Sequence, residues 1–283
     1  MAMKNILLLH PGNMGATIGT CAASRGAQVT WLSANRSAAS RARAEKAGLI
    51  EAKDFAAALK QAEVLLSICP PDAALDVATQ VAKEKFSGIY VDANAVSRAT
   101  AEEIGKIVSA GGASFVDGGI IGSPVKQAGT TRLYLSGENA PQIAQLFAGS
   151  LLDARAIGAL PGEASALKVA YAAWTKGTDA LILAIRALAA HEGVENALLQ
   201  EWKISQPALE KKCIQAAASA APKMWRYVGE MKEIAGAFEV AGLPGGFHNA
   251  AAEVCERLAG FKDQTDPPLS VATVLEQLRL KSN

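Results

Sequence analysis

Residues 5–37 constrain the fold more than any other part of the chain. An unbroken apolar run, Ile6–Leu9, is followed by a turn containing Gly12, by small residues suited to a helix, and by a second apolar run that ends near Ser33. This order predicts a strand, a tight turn, a helix and a second strand. Such a unit is the building block of sheets in which parallel strands alternate with helices.

The turn, Gly12-Asn13-Met14-Gly15, predicts a binding site for the phosphates of a nucleotide. Gly12 has no Cβ where a backbone must approach a pyrophosphate, and Gly15 lets the helix pack closely on its strand. The free N–H groups of the first helical turn then face the anion. The dinucleotide fingerprint also requires a glycine two positions before Gly12, where this chain has His10. The turn alone therefore leaves nucleotide binding open.

The end of the second strand indicates which dinucleotide would bind. An NAD site usually places an acidic residue there to bind the ribose 2′-hydroxyl. Here residues 33–37 contain no acid, and Asn35, Arg36 and Ser37 form the tip. Because the guanidinium of Arg36 offers a planar fork of donors, a 2′-phosphate fits better than a hydroxyl. We therefore expect NADPH. In the alternative interpretation, Arg36 is one solvated cation of the basic helix that follows.

Composition narrows the class of protein. The chain has 283 residues, enough for two domains, and a formal net charge of +1, which does not favour nucleic acid or an anionic membrane surface as a partner. It has no apolar run long enough to span a bilayer and no signal peptide, so we expect a soluble cytoplasmic protein. The cysteines and histidines are widely scattered, so we expect neither disulfides nor a metal site.

The segments after residue 37 continue the alternation and predict a doubly wound parallel sheet. The apolar run Val64–Cys69 stops at Pro70, and the strand Gly88–Asp92 is followed by a loop that contains Asn94. Open α/β sheets bind ligands at the carboxyl ends of their strands. We therefore expect Cys69, Pro70 and Asn94 to lie at the cofactor.

Three further strands complete the predicted first domain, residues 1–160. The strand Ser114–Asp117 precedes a glycine-rich turn that reaches Pro124, and strands follow over residues 132–136 and 154–157. A glycine-rich turn of this kind is either a close approach to a ligand or a tight loop, and the sequence leaves both open.

The second half, residues 161–283, predicts an all-helical domain for substrate binding and dimerisation. It opens with a long alanine-rich helical stretch over residues 164–191, interrupted only by Gly177. Apolar side chains occupy much of the circumference of this helix, which therefore needs partners on several sides. A homodimer would supply them.

Together these motifs resemble the β-hydroxyacid dehydrogenases, a family that includes 3-hydroxyisobutyrate and 6-phosphogluconate dehydrogenases. The resemblance rests on Gly12-Asn-Met-Gly15, on Asn35-Arg-Ser37, on the glycine-rich segment after Asp117, and on Lys168 in the helix that opens the second domain. It covers nearly the whole chain. It implies an N-terminal Rossmann domain, an all-α second domain, and an NAD(P)-dependent oxidoreductase that acts on a CH–OH group.

The resemblance also implies roles for individual residues. The proton donor of the family falls on Lys168, and a later lysine near cofactor and substrate falls on Lys232. The loop that grips the substrate falls on a segment that includes Gly122 and Ser123. Burial that lowers the pKa of a lysine makes its ammonium a better proton donor near neutral pH. Alternatively, Lys168 is a surface lysine of a long helix.

Three positions depart from the family pattern. The family has asparagine where this chain has Ala172, a serine where it has Ile121, and glycine where it has His10. The first two departures remove donors for a small hydroxy acid, so we do not expect a simple 3-hydroxy acid as substrate. Tyr171 and Thr175 share a helical face with Lys168 and are the candidates to replace those donors, or else they are core residues.

Three functions fit the sequence. The first is an NADPH-dependent oxidoreductase that transfers hydride between the nicotinamide and a small carbonyl or hydroxy compound, with Lys168 as proton donor. The second is an imine reductase, because Asp117-Gly-Gly-Ile120 is closer to the loop of those enzymes. The third is an NADP-binding protein without catalytic activity.

Overall fold

The computed structural model describes residues 5–279. The chain divides into two compact units, one ending at Lys168 and the other beginning at Val169. No helix of the described residues is both long and apolar enough to cross a membrane.

An eight-stranded sheet forms the first unit, with the strand order β3-β2-β1-β4-β5-β6-β7-β8. The strands are β1 Asn5–Leu9, β2 Gln28–Leu32, β3 Ile50–Ala52, β4 Val64–Ser67, β5 Ile89–Asp92, β6 Ser114–Gly122, β7 Thr131–Ser136 and β8 Asp153–Gly158. Six helices accompany them: α1 Asn13–Ala23, α2 Ala38–Lys46, α3 Phe55–Gln61, α4 Ala74–Lys83, α5 Arg98–Ala110 and α6 Ala140–Gln145. The predicted Rossmann-type α/β unit is confirmed.

Helices cover both faces of this sheet. In β1, Ile6 and Leu8 pack into a core that includes residues of α1 and α6. Leu7 and Leu9 pack into a second core with residues of α3, α4 and α5. A strand buried on both faces reads as a continuous apolar run, which explains the sequence Ile6–Leu9.

The direction of the last two strands differs from the expected parallel sheet. Strand β7 is antiparallel to β6, and β8 is parallel to β7. The physical reason is the connection: residues 123–130 contain no helix, and parallel neighbours need a longer crossover. The sequence prediction did not include the short edge strand β3, because its three residues show no clear alternation of apolar and polar side chains.

Strand β6 is longer than predicted. The expectation that it ends at Asp117 and is followed by a turn was wrong, because the strand continues to Gly122. A Cβ on Gly118 would lie 2.8 Å from the backbone oxygen of Asp92, and one on Gly119 would lie 2.6 Å from that of Ala164. These glycines therefore permit close packing against the strand, where a turn was expected.

The described part of the second unit, residues 169–279, consists of helices and loops without a strand, as predicted. Its helices are the greater part of α7 Glu163–His191, then α8 Glu195–Ser205, α9 Leu209–Gln215, α10 Met224–Val240, α11 Gly246–Arg257 and α12 Val271–Arg279. Their buried side chains form one core, which includes Leu183, Trp202, Met231, Cys255 and Leu278.

Candidate active site at the carboxyl edge of the sheet

The turn between β1 and α1 has the geometry of an anion site. The N–H of Gly12 donates to the carbonyl of His10 at 2.7 Å, and a Cβ on Gly15 would lie 2.7 Å from the same oxygen. Side chains cap α2, α3 and α5, but α1 begins at Gly12 without a side-chain cap and has no acid in its first turn. The N–H groups of that turn are therefore available to an anionic ligand.

Arg36 differs from the other arginines near the tip of β2. Arg41 donates to the carbonyl of Ser33 at 2.8 Å, and Arg43 donates to that of Pro11 at 3.5 Å. The Nε of Arg36, by contrast, is buried without a hydrogen-bond partner. Burial also lowers the pKa of this guanidinium. An anion bound at this point would accept a hydrogen bond from Nε. If Arg36 were only a solvated surface cation, its Nε would instead be exposed to water.

Asn35 and Ser37 shape the loop that carries Arg36. Asn35 adopts a left-handed backbone conformation with φ of 58°, which asparagine tolerates better than most residues. The side chain of Ser37 accepts a hydrogen bond from the N–H of Ser40 at 3.3 Å and so caps α2. Both residues therefore have a structural reason for their identity, in addition to the predicted contact with a cofactor.

Asn94 joins the ends of β4 and β5. Its side-chain oxygen accepts a hydrogen bond from the N–H of Cys69 at 2.6 Å, and its Nδ2 donates to Asp92 at 2.7 Å and to Ser67 at 3.2 Å. Cys69 is partly buried and Pro70 exposed at the same edge. The side chain of Asn94 therefore positions the loop after β4, which presents Cys69 and Pro70.

Two buried carboxyl groups lie side by side behind this edge. Asp92 and Asp117 face each other in the register of β5 and β6, and both have 0% exposure. The pKa of Asp92 is raised to about 7, mainly by burial and also by the charge of Asp117, while hydrogen bonds from Asn94 oppose the shift. Burial likewise raises the pKa of Asp117.

The raised pKa of Asp92 predicts how stability depends on pH. The folded chain favours the protonated carboxyl of Asp92. The stabilisation of the folded state by this proton is therefore complete below the usual pKa of 3.8 and is lost as pH rises through about 7. Asparagine has no carboxyl to ionise, so the Asp92→Asn variant should not lose stability in this way. Between about pH 5 and about pH 8 we expect the free energy of unfolding of the variant to rise, relative to that of wild type, by on the order of 1 kcal/mol or more. Urea unfolding at several pH values measures the difference.

An exposed carboxylate of the same unit provides the control. Asp76→Asn on α4 changes the same chemical group outside the core. We expect its unfolding free energies to run parallel to those of wild type. If the free energy of unfolding of Asp92→Asn also changed with pH in parallel with that of wild type, the raised pKa of Asp92 would be contradicted.

Asp117 holds the first turn of α7 against β6. Its carboxylate accepts hydrogen bonds from the N–H of Ser165 at 2.9 Å and from the Ser165 hydroxyl at 2.5 Å. Ser136 on β7 donates to Asp117 at 3.0 Å and accepts from the N–H of Ala164 at 3.1 Å. Two of the N–H groups that the start of a helix leaves unpaired are thus satisfied by buried side chains.

Lys168 is fixed by this arrangement. Its Nζ donates a 2.6 Å hydrogen bond to the carbonyl of Ile120, and the side chain is half-buried. A Cβ on Gly119 would lie 3.1 Å from the Cβ of Lys168, so the glycine allows the lysine to lie directly on the strand. Ile120 lies three positions beyond Asp117, the last residue of β6 that pairs with β5. The ammonium therefore lies at the carboxyl edge that also carries Gly12.

The remaining predicted residues divide between the two units. Gly122 ends β6 with φ of 123°, and the carbonyl of the exposed Ser123 accepts from Thr131 at 2.5 Å. Both are close in sequence to the strand that holds Lys168. Ile121, where the resemblance implied a serine, is 6% exposed and offers no side-chain donor.

In the second unit, Tyr171 and Thr175 lie on α7, and Lys232 is exposed on α10. Tyr171 is 48% exposed, so the interpretation that it is a core residue was wrong. Thr175 donates its hydroxyl to the carbonyl of Tyr171 at 3.1 Å. Ala172 is buried and supplies no donor.

The buried carboxylate of Asp117, with Ser136 and Ser165, was missing from the sequence analysis. One signal was available, since Asp92 and Asp117 each end a predicted strand. Nothing local in the sequence pairs them with Ser136 or Ser165.

Comparison with known proteins finds matching families for both parts of the chain. Residues 6–146 match the family described as the NAD binding domain of 6-phosphogluconate dehydrogenase. Residues 189–258 match a family described as a domain of unknown function, DUF1932. An uncharacterized 28.5 kDa protein of Methanothermus fervidus is 32% identical over 157 residues, which are 56% of this chain. The chain spans 60% of the length of that relative.

Solved structures share the fold. The 3-hydroxyisobutyrate dehydrogenase of Mycobacterium tuberculosis has a TM-score of 0.68 at 18% identity, and the match covers 98% of this chain and 100% of that one. An imine reductase from Pseudomonas sp. has a TM-score of 0.53 at 19% identity, with the same coverage. The first unit therefore contains an NAD-binding domain of the type found in 6-phosphogluconate dehydrogenase, and the chain shares its two-part fold with a 3-hydroxyisobutyrate dehydrogenase.

Proposed function

We propose that the protein is an NADPH-dependent oxidoreductase that transfers hydride between the nicotinamide and a small carbonyl or hydroxy compound. The observation that carries this proposal is the position of Lys168. Its ammonium is held by the carbonyl of Ile120 at the same edge of the sheet as the Gly12 turn. A nucleotide at that turn and a proton donor at that edge are the two components that carbonyl reduction requires.

The residues of the first unit fit the proposed cofactor. The uncapped first turn of α1 suits the pyrophosphate, and the unpartnered Nε of Arg36 suits a 2′-phosphate. When bound, the reduced nicotinamide would supply the hydride. The choice of NADPH over NADH rests on Arg36 and on the absence of a carboxylate in residues 33–37.

In this proposal Lys168 protonates the substrate oxygen. The hydrogen bond to Ile120 sets the direction of the ammonium, a group with three N–H donors. Gly122 and Ser123, together with Tyr171 and Thr175, are the proposed substrate-binding residues, and Lys232 is proposed near the cofactor. Because Ala172 and Ile121 supply no donors, we propose a substrate other than a simple 3-hydroxy acid.

A second candidate function is imine reduction. It is favoured by the same two missing donors, which a hydroxy acid would require, and by the fold shared with an imine reductase. A panel of aldehydes, ketones, hydroxy acids and cyclic imines, assayed with NADPH and NADH on one preparation, tests both candidates. Turnover of carbonyl compounds supports the first function, and turnover of imines alone supports the second. Tight NADPH binding without turnover of any compound would support the third, an NADP-binding protein without catalysis.

We further propose that two copies of the chain associate through α7. Apolar side chains exposed on the second-unit part of this helix recur at spacings of three, four and seven residues, as in the contact face of a coiled coil. They are Tyr171, Trp174, Leu181, Ile185 and Leu188, with exposures of 48%, 69%, 49%, 37% and 61%. A second copy of α7 would cover this face.

The cytoplasmic location expected from the sequence stays a prediction.

Charges on this face are expected to separate the two copies. We expect the double variant Leu181→Glu/Leu188→Glu to be a folded monomer, because the contact would desolvate two carboxylates from each copy. Ile204→Glu on α8, an exposed apolar residue outside α7, is the control and is expected to remain dimeric. Sedimentation velocity measures the mass. A monomeric wild type, or a dimeric double variant, would contradict the proposed contact.

A further inference from the structure

The residue at the first glycine position of the dinucleotide fingerprint is in a conformation that suits glycine. His10 has φ of 65°, and its carbonyl closes the turn by accepting the N–H of Gly12. A non-glycine residue in this left-handed region is strained relative to glycine, although histidine is among the more frequent residues there. The backbone of the turn therefore does not explain why the chain has a histidine here.

The side chain of His10 has an unsatisfied polar atom. Its Nδ1 is buried without a hydrogen-bond partner, as is the Nε of Arg36. Burial, with the neighbouring charge of Arg36, lowers the pKa of His10 to about 4, so the ring is neutral near pH 7. Strands β1 and β2 are parallel neighbours, and His10 and Arg36 follow their carboxyl ends. Two unpartnered polar atoms therefore lie at one edge of the sheet.

One chemical group would satisfy both atoms. A neutral imidazole with its proton on Nδ1 donates one hydrogen bond, and the guanidinium donates charge-assisted bonds. A phosphate monoester presents three acceptor oxygens to both donors at once, whereas a ribose hydroxyl is a single small group. A buried donor without an acceptor destabilises the chain. The pair of donors therefore favours a phosphate over a hydroxyl.

We propose that His10 is a specificity-determining residue that, with Arg36, binds the 2′-phosphate of NADPH. The inference rests on the proposed function, because it assumes that a dinucleotide occupies the Gly12 turn. It assigns a role to the residue by which this chain departs from the fingerprint. The imidazole occupies space that a glycine would leave open, and it adds a neutral donor beside the arginine.

Calorimetric titration of the protein with adenosine 2′,5′-bisphosphate (2′,5′-ADP) and with adenosine 5′-monophosphate (5′-AMP) tests this role without a substrate. The two probes differ by the 2′-phosphate. The variants are His10→Gly, which restores the fingerprint, and His10→Asn, which tolerates the left-handed conformation but lacks the ring. Arg36→Ala is the positive control, and Arg41→Ala, whose guanidinium is bonded to Ser33, is the matched negative control. Thermal unfolding checks that each variant is folded.

We expect both His10 variants to bind 2′,5′-ADP about tenfold more weakly, the equivalent of about 1.4 kcal/mol, and to bind 5′-AMP within about twofold of wild type. Unchanged or tighter binding of 2′,5′-ADP by His10→Gly would overturn the inference, as would equal weakening of both probes. If only Arg36→Ala loses the preference for 2′,5′-ADP, the role of His10 is refuted while the proposed NADPH site stands. If wild type has no such preference, both are refuted.

Discussion

Replacing Lys168 with alanine is expected to slow hydride transfer by about a hundredfold to ten-thousandfold, the usual contribution of a positioned general acid. The Nζ of Lys168 is held at 2.6 Å from the carbonyl of Ile120, so its donors are already oriented when a substrate arrives. Alanine removes the proton source and leaves the backbone of α7 unchanged. Single-turnover oxidation of bound NADPH, with a substrate found in the panel, measures the effect.

The same experiment separates a role in chemistry from a role in binding. The affinity for NADPH is expected to stay within a few-fold of wild type, because the residues proposed to hold the phosphates lie in the turn before α1 and in the loop after β2. Lys106→Ala, which removes an exposed lysine of α5 in the same unit, is the matched control and is expected to react at the wild-type rate. A Lys168→Ala protein with normal turnover would show that another group donates the proton.

Replacing Arg36 with alanine is expected to weaken NADPH binding by about 1 to 3 kcal/mol, or roughly fivefold to more than a hundredfold. The affinity for NADH is expected to change much less, since its ribose carries no phosphate. The Nε of Arg36 is buried and unpartnered, so an arriving phosphate would satisfy an atom that is otherwise desolvated without a bond. Fluorescence titration of the two reduced cofactors measures both constants.

Arg41 provides the comparison for net charge. Its guanidinium donates to the carbonyl of Ser33 and pairs with Glu51, so Arg41→Ala removes one positive charge near the same tip without removing a free donor. We expect this variant to bind both cofactors nearly as wild type does. Equal losses of NADPH and NADH affinity in Arg36→Ala would assign Arg36 to the fold of the loop and remove it from the 2′-phosphate.

Local patterns were sufficient for most of the first unit. The apolar run Ile6–Leu9 and the glycines of the following turn predict β1 and α1, because burial on both faces and a tight turn impose those residues locally. The direction of β7 was not predictable in the same way. It depends on how the chain returns after Gly122, and eight parallel strands would have the same apolar pattern.

Glycines were the residues most easily misread. Gly118 and Gly119 suggested a turn, yet they lie within β6, where a Cβ would collide with the backbone of β5 and α7. The local sequence does not show that Gly118 lies against Asp92, on the preceding strand, or that Gly119 lies against Ala164, on a later helix. The same close approach is what brings Lys168 onto the strand, so the misread glycines are part of the candidate site.

The candidate site was predictable in its outline only. Lys168 was identified through resemblance to a family, whereas its hydrogen bond to Ile120 and the hydrogen bonds of Asp117 to Ser136 and Ser165 depend on tertiary contacts. Residues 117, 136 and 165 are far apart in sequence and come from two strands and a helix. No periodicity connects them, so only the folded chain reveals that they fix the start of α7.

In the proposed mechanism the amine of Lys168 faces a bound nicotinamide across the thickness of one small molecule. A crystal structure of the protein with NADPH bound would show both groups. We expect the Nζ of Lys168 to lie about 5 Å from C4 of the nicotinamide, the separation that a small substrate needs for contact with both. An amine that points into solvent, far from the nicotinamide, would refute the proposed role of Lys168.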